Sequence, residues 1–192
     1  MAKHYTPSSM LKESLIETLE AAKFCSDYRK IEKKWEIFNT GGCLGYPSAI
    51  LLFSIIDSIG SYYRQNKEIK ILIDSEKATI DSTGWQHFKI LNSKYFNQNL
   101  SLVFIKALFS KFRSCLTHNS ILGKNSKMIP YNNSSKNGIS KKTFFKETAT
   151  NGETVYIISI KELWELCSIT INKFSKDIDT VVPCSKIGKK FN

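Results

Sequence analysis

The sequence predicts an all-α protein, an up-and-down bundle of four to five main helices with a small β-hairpin inserted before the last. Three observations carry that expectation. Apolar residues recur at helical spacing over several long segments. One strong hairpin signal, Asn151-Gly152, stands between two short runs of strand-forming residues. A chain of 192 residues with 42% hydrophobic and 12% aromatic content suits one domain with a sizeable core and excludes wholesale disorder. The domain is expected to span 1–192, with a polar loop and hairpin over about 119–158 and a basic, frayed tail at 181–192.

The elements follow in order. Ser8 and Ser9 can cap a helix that starts at Met10 and carries Leu11, Leu15, Ile16, Leu19 and Ala22 at helical spacing. The pattern runs on, less cleanly, through Tyr28, Ile31, Trp35 and Phe38, as one long helix or two short ones. Gly41, Gly42 and Gly45 break it, and Pro47 suits a first helical turn. The most apolar helix covers 47–65, and its polar residues Ser54, Asp57, Ser58 and Ser61 share one stripe. Residues 67–83 read as helix or loop, with a short strand at Lys70 to Asp74 as the alternative. Trp85, Phe88, Ile90, Leu91, Tyr95 and Phe96 support another helix, which Asn97 to Asn99 interrupt. A helix over about 100–118 buries Val103, Phe104, Ala107, Leu108, Phe112 and Cys115. Residues 119–142 read as an exposed loop, Phe144 to Ile158 as the hairpin, and Lys161 to about Phe174 as the last helix.

Composition narrows the partners. A formal net charge of +11 on a globular chain favours polyanions such as RNA, DNA or anionic lipid. Five cysteines with no CxxC spacing suggest neither a zinc ribbon nor a disulfide framework, and point to a reducing, cytoplasmic setting. The longest apolar stretch, Ala49 to Ile59, is too short and too polar to span a bilayer, so no membrane association is expected. Three scattered histidines without clustered carboxylates predict no metal site and no cofactor. The glycines of GGCLG lack the Gly-Lys-Ser/Thr ending of a phosphate loop and read as a turn. His87, near Trp85 and Phe88, reads as a surface or core-edge residue, and Cys115 as core.

The chemistry concentrates in FIKALFSKFRSCLTHNSIL, residues 104–122. An apolar helical pattern runs into Arg113 and His118 and gives out at Asn119, where a lysine-rich polar segment begins. Residues five apart on an ideal helix differ by about 140° around the axis, so the helix must end near Thr117 or the arginine must reach around. Ser114 and His118, four apart, do share a face. The candidate cluster is therefore Arg113, Ser114, His118 and Asn119 at a helix C-terminus. The negative potential of a helix end suits a cation there, and an imidazole can carry the proton of a general acid. Asp57, a carboxylate on an apolar helix, needs a partner; it can face Arg113 and orient the guanidinium, or face water, or pair with Arg64 or Lys67. Lys124, Lys127, Lys136, Lys141, Lys142 and Lys146 stand against the single acid Glu147, with Tyr131, Phe144 and Phe145 among them. Lysines interleaved with aromatics can hold single-stranded RNA, or form only a solvated loop.

Arg113-Ser-Cys-Leu-Thr-His118, at the end of a late helix behind the apolar LLFSIIDSIG, resembles the R-x4-6-H pattern of the HEPN superfamily, over about residues 10–180. The resemblance implies a metal-independent endoribonuclease, in a toxin or antiviral context. It would act as a homodimer whose two motifs meet at the interface, with a protein antitoxin or regulator as a further partner. It also allows a non-catalytic module that binds nucleotide, RNA or protein. Under it, His118 moves protons at the ribose 2′-hydroxyl or the leaving oxygen, and Arg113 holds the phosphate. Ser114 stands where the family usually has Asn, Asp or His, and Ser120 where some family toxins carry a modified tyrosine.

Overall fold

A computed structural model describes residues 6–36, 41–131 and 142–190. Helix α1 (Pro7–Asp27) begins slightly earlier than the sequence predicts, because Thr6 rather than Ser8 caps it. The Thr6 hydroxyl accepts the Ser9 amide at 3.2 Å, Ser9 returns the bond to the Thr6 amide, and Pro7 takes the first helical position, where its missing N–H costs nothing. Leu15, Leu19 and Ala22 form its buried stripe. The weaker pattern beyond resolves into a separate short helix, α2 (Lys33–Glu36).

Helix α3 (Gly45–Tyr62) is the centre of the molecule. Ala49, Leu52, Phe53, Ile55, Ile56 and Ile59 are all essentially sealed from solvent, and α1, the 3-10 helix Gly84–Asn92 and helix α6 (Ile160–Phe174) cover it from different sides. Burial of each such side chain contributes roughly 1.5–3 kcal/mol. Residues 102–119 form a continuous helix in three parts, α4 (Leu102–Ala107), a π-helical segment (Leu108–Ser114) and α5 (Cys115–Asn119). It buries Phe104, Leu108, Phe112 and Leu116; Val103, expected inside, is 67% exposed. Helix α7 (Ile178–Cys184) closes the chain onto the start of α1. None of the helices is long and apolar enough to cross a membrane, among the described residues.

The fold is predominantly helical, but it is not all-α and the simple bundle needs correcting. A three-stranded sheet has the order β3-β5-β4, with β3 (Ser126–Ile129) parallel and β4 (Phe144–Thr148) antiparallel to β5 (Thr154–Ser159). The hairpin β4–β5 lies where Asn151-Gly152 predicts it. Strand β3 falls in the segment expected to be loop: four residues with polar neighbours acquire strand geometry only by pairing with a strand some thirty positions on, which no local pattern reports. A second departure is the miniature hairpin β1 (Leu72–Ile73) and β2 (Glu76–Lys77). Its two turn residues, Asp74 and Ser75, both have positive φ (51° and 71°), the geometry of a primed turn without the glycine that usually marks one. The Trp85 helix is 3-10 and short, because Asn92 ties its end down by donating to the Leu72 and Leu100 carbonyls and accepting from the Leu100 amide. Residues 181–190 are not frayed: Val182 is fully buried, and Gly188 packs on its carbonyl, where a Cβ would collide.

Behind α3, the hydroxyls of Tyr63 and Tyr95 share a hydrogen bond, and Tyr95 donates to Asp177 at 2.6 Å beside Lys94. Burial pushes the Tyr63 phenol from 10.0 up to about 12, and pushes Tyr95 higher still. Both folded values lie above the unfolded ones, so their stabilisation is complete below pH 10 and is lost as pH rises toward 12. Tyr63 alone accounts for at most about 3 kcal/mol of that loss. The urea midpoint should therefore fall between pH 10 and 12, and Tyr63→Phe should flatten the fall; parallel curves for the two proteins would refute it.

Candidate functional site

The site is built around Asp57, on the flank of α3. One turn further on stands Gly60, and there the 3-10 helix presses directly onto α3: a Cβ at Gly60 would lie 2.3 Å from the His87 carbonyl oxygen. That close approach brings His87 Nδ1 to 2.6 Å from Asp57 Oδ1. From the other side, the 102–119 helix brings Arg113 Nη2 to 2.9 Å from Asp57 Oδ2. Each carboxylate oxygen thus takes one donor. A carboxylate only accepts, so His87 Nδ1 is the donor in this bond. His87 Nε2 is buried and has no hydrogen-bond partner among the described residues.

Asp57 thus faces Arg113, one of the alternatives its sequence left open; Arg64 and Lys67 are not its partners among the described ion pairs. The serines of its stripe do not extend the network: Ser54 and Ser61 donate to their own helix's carbonyls. Arg113 stays 28% exposed, with its guanidinium over the Phe109 ring at 5.6 Å from the centroid. Phe109 in turn meets Phe88 edge to face at 5.6 Å. Asp57→Asn keeps the shape but leaves one of the two donors facing an amide. It should cost about 1–2 kcal/mol, since bonds to charged groups are the stronger ones. Chemical denaturation measures this, and a loss no larger in Asp57→Asn/His87→Ala than in His87→Ala alone would show that Asp57 acts through His87 only.

The π-helical segment shapes the face that Arg113 presents. Its loosened carbonyls find partners outside the ordinary ladder: the Gly123 amide donates to the Lys111 carbonyl at 2.7 Å and the Cys115 thiol to the Ser110 carbonyl at 3.1 Å. Gly123 is needed there, since a Cβ would come within 2.8 Å of Lys111 Cα. The returning chain is thereby clamped to the helix, with Lys111 Nζ donating to the Lys124 carbonyl at 2.5 Å.

The helix ends at Asn119, with Ser120 as a left-handed cap (φ 57°) whose amide donates to the Leu116 carbonyl. His118 is exposed and makes no hydrogen bond or ion pair with a described residue. Ser114 is half-buried and Asn119 exposed. The structure bonds Arg113 to Asp57, and among the described residues no hydrogen bond joins Arg113 to His118. Of the lysines, Lys124 pairs loosely with Glu153 at 3.6 Å, Lys127 lies exposed on β3, and Lys142 is exposed just before β4. Lys136 and Lys141 lie outside the described residues.

Sequence reasoning missed His87 as a partner of Asp57; it is buried, not a surface residue. It also missed the platform beside it, where Lys89 and Lys106 both lie over the Trp85 ring, at 5.2 and 4.9 Å from its centroid. Desolvation holds the Lys89 ammonium below the usual lysine range. Among the described residues no three of His, Cys, Asp and Glu converge as they would on a metal ion.

These features define a predominantly helical domain with a polar Arg–Asp–His cluster between three helices and a free histidine at a helix end. No protein-family model matches the chain, and comparison with curated proteins and with solved structures finds no relative.

Proposed function

We propose that the protein is a HEPN-like, metal-independent endoribonuclease in which Arg113 binds the scissile phosphate and His118 moves the proton. The observation that carries this reading is the state of the two groups. Arg113 is pinned through one nitrogen to Asp57 but partly open, and His118, on the same helix, is exposed and uncommitted. A guanidinium held this way keeps further N–H donors for a phosphate oxygen and loses little entropy on binding. An imidazole at the helix mouth takes the 2′-hydroxyl proton as that oxygen attacks phosphorus, or gives a proton to the departing 5′-oxygen. The products would be a 2′,3′-cyclic phosphate and a 5′-hydroxyl. A homodimer whose two motifs face each other, as the resemblance implies, is part of this proposal. The basic surface, with Trp85 under Lys89 and Lys106, supports a single-stranded RNA as substrate.

One observation favours a second reading, a module that binds RNA without cutting it: Asp57 already offsets the Arg113 charge. The two separate in one experiment. RNA incubated with the protein in EDTA is cut by the nuclease, and the cutting disappears in His118→Ala. Binding without cutting, weakened in Arg113→Ala, selects the module. Neither outcome leaves only an interaction domain. A toxin or defence role and a partner antitoxin are part of the proposal only through the resemblance.

A further inference from the structure

Away from Asp57, a groove of about 430 Å³ opens between the start of α3 and the sheet. Tyr46 and Trp35 stand on one side and Met128, Ile129, Pro130 and the buried Ile160 on the other. Three consecutive residues of the β3 segment line it. Neighbouring strand residues point to opposite faces, so the groove runs along the outer edge of that strand rather than over one face.

Among the described residues, that edge carries a donor and an acceptor without a partner. The Tyr156 amide donates to the Asn125 carbonyl at 2.9 Å, and Met128 lies opposite Ile158 in the parallel register. In such a ladder Asn125, Lys127 and Ile129 turn their amides to β5, and Met128 turns its N–H and C=O outward. Among the described residues lining the groove, the one charged side chain is Lys30, whose ammonium lies 5.1 Å from the centre of the Trp35 ring. Lys30 lines the same groove as Gly45, Tyr46 and Pro47 in the first turn of α3, whose start has no side-chain cap. Tyr46 is 49% exposed and stacks on no other ring among the described residues.

We infer that this groove binds a nucleotide unit. The base would lie against Tyr46 on the apolar floor, with its edge read by the Met128 amide, and the phosphate would lie toward Lys30. Apolar walls, one donor–acceptor pair and one cationic end are what a base with a phosphate requires, and the volume suits a ligand of that size. An extended peptide is the weaker fit, because strand addition needs a row of free amides and, among the described residues that line the groove, Met128 alone supplies one before Pro130. The unit can come from a free mononucleotide or from a strand of RNA, and the inference does not depend on cleavage at Arg113.

The test titrates the full chain with adenosine and uridine 5′-monophosphates, with adenosine, and with a hexameric oligoribonucleotide, following amide resonances. Saturable shifts at Met128 and Tyr46 are expected with the nucleotides, and loss of the phosphate in adenosine should weaken binding. Tyr46→Ala should weaken it about tenfold, the scale of one stacked base. Gly45→Leu should abolish it: the glycine has an ordinary φ, and an added Cβ meets Cys43 and Met128 only at 3.8–3.9 Å, so the variant folds with its side chain in the groove. Binding by the monophosphates assigns a small ligand, and binding by the hexamer alone assigns a strand. No saturable binding, or binding unchanged in Gly45→Leu, overturns the inference. So would a random-sequence peptide mixture that shifts Met128 where nucleotides do not. His118→Ala should bind as the unaltered protein does, so loss of cleavage with retained titration would concern the nuclease proposal alone.

Discussion

His118→Ala is expected to lower RNA cleavage by at least about a hundredfold, the lower bound of what a positioned proton-transfer group supplies. Its thermal midpoint should stay within about 2 °C of the unaltered protein, because the side chain is exposed and bonds to no described residue. That combination makes it the sharper of the two active-site tests. Arg113→Ala removes the proposed phosphate ligand but also leaves Asp57 with one partner, so activity and stability should fall together. Arg113→Lys keeps the charge without the planar fork and should recover stability more than rate. Electrophoresis of the fragments after phosphatase treatment, which leaves a 2′,3′-cyclic end intact, gives the chemistry as well as the rate. Cleavage by His118→Ala at the original rate would remove the imidazole from the reaction and the nuclease proposal with it.

The geometry around Asp57 was half legible in the sequence. A carboxylate between Ile56 and Ser58 on so apolar a helix has to find a counter-charge, and Arg113 is one it can reach. His87 was not legible. It lies thirty residues away, and what joins it to Asp57 is a backbone contact at Gly60, a residue that by itself reads as an ordinary helical glycine. The π-helical segment escapes for a related reason, since Leu108, Phe112 and Leu116 keep a four-residue spacing that an α-helix satisfies as well. The hairpin was readable because its turn is local, Asn151-Gly152. Strand β3 was not, because its partner is distant and parallel. Local chemistry thus located the elements, and contacts across thirty residues or more decided how they meet at the site.

Gly60→Ala tests the contact on which the site depends. On sequence grounds the substitution should help, because alanine is better than glycine in a helix interior by about 1 kcal/mol. The structure reverses the sign. The new Cβ would stand 2.3, 2.8 and 2.9 Å from the carbonyl oxygen, carbonyl carbon and Cα of His87, all backbone atoms with no rotamer to yield. Relief to an ordinary separation moves the 3-10 helix off α3 by roughly 1.1 Å or more. Phe88, Ile90 and Leu91, fully buried on that helix, move with it, as does the Phe88 ring on Phe53. Overpacking usually costs about 1–3 kcal/mol and occasionally more; against rigid backbone it should cost roughly 3–4 kcal/mol here, and the helical gain offsets about 1 of that. A net loss of about 2–3 kcal/mol lowers the thermal midpoint of a chain this size by roughly 4–12 °C. His87→Ala should not rescue it, since the clash is with the backbone; an additive double variant is expected. The same displacement pulls Nδ1 away from Asp57, so RNA cleavage should fall in Gly60→Ala even below its melting range. A midpoint that rises instead would mean that the two helices stand further apart than the structure has them, and that Asp57 is held by Arg113 alone.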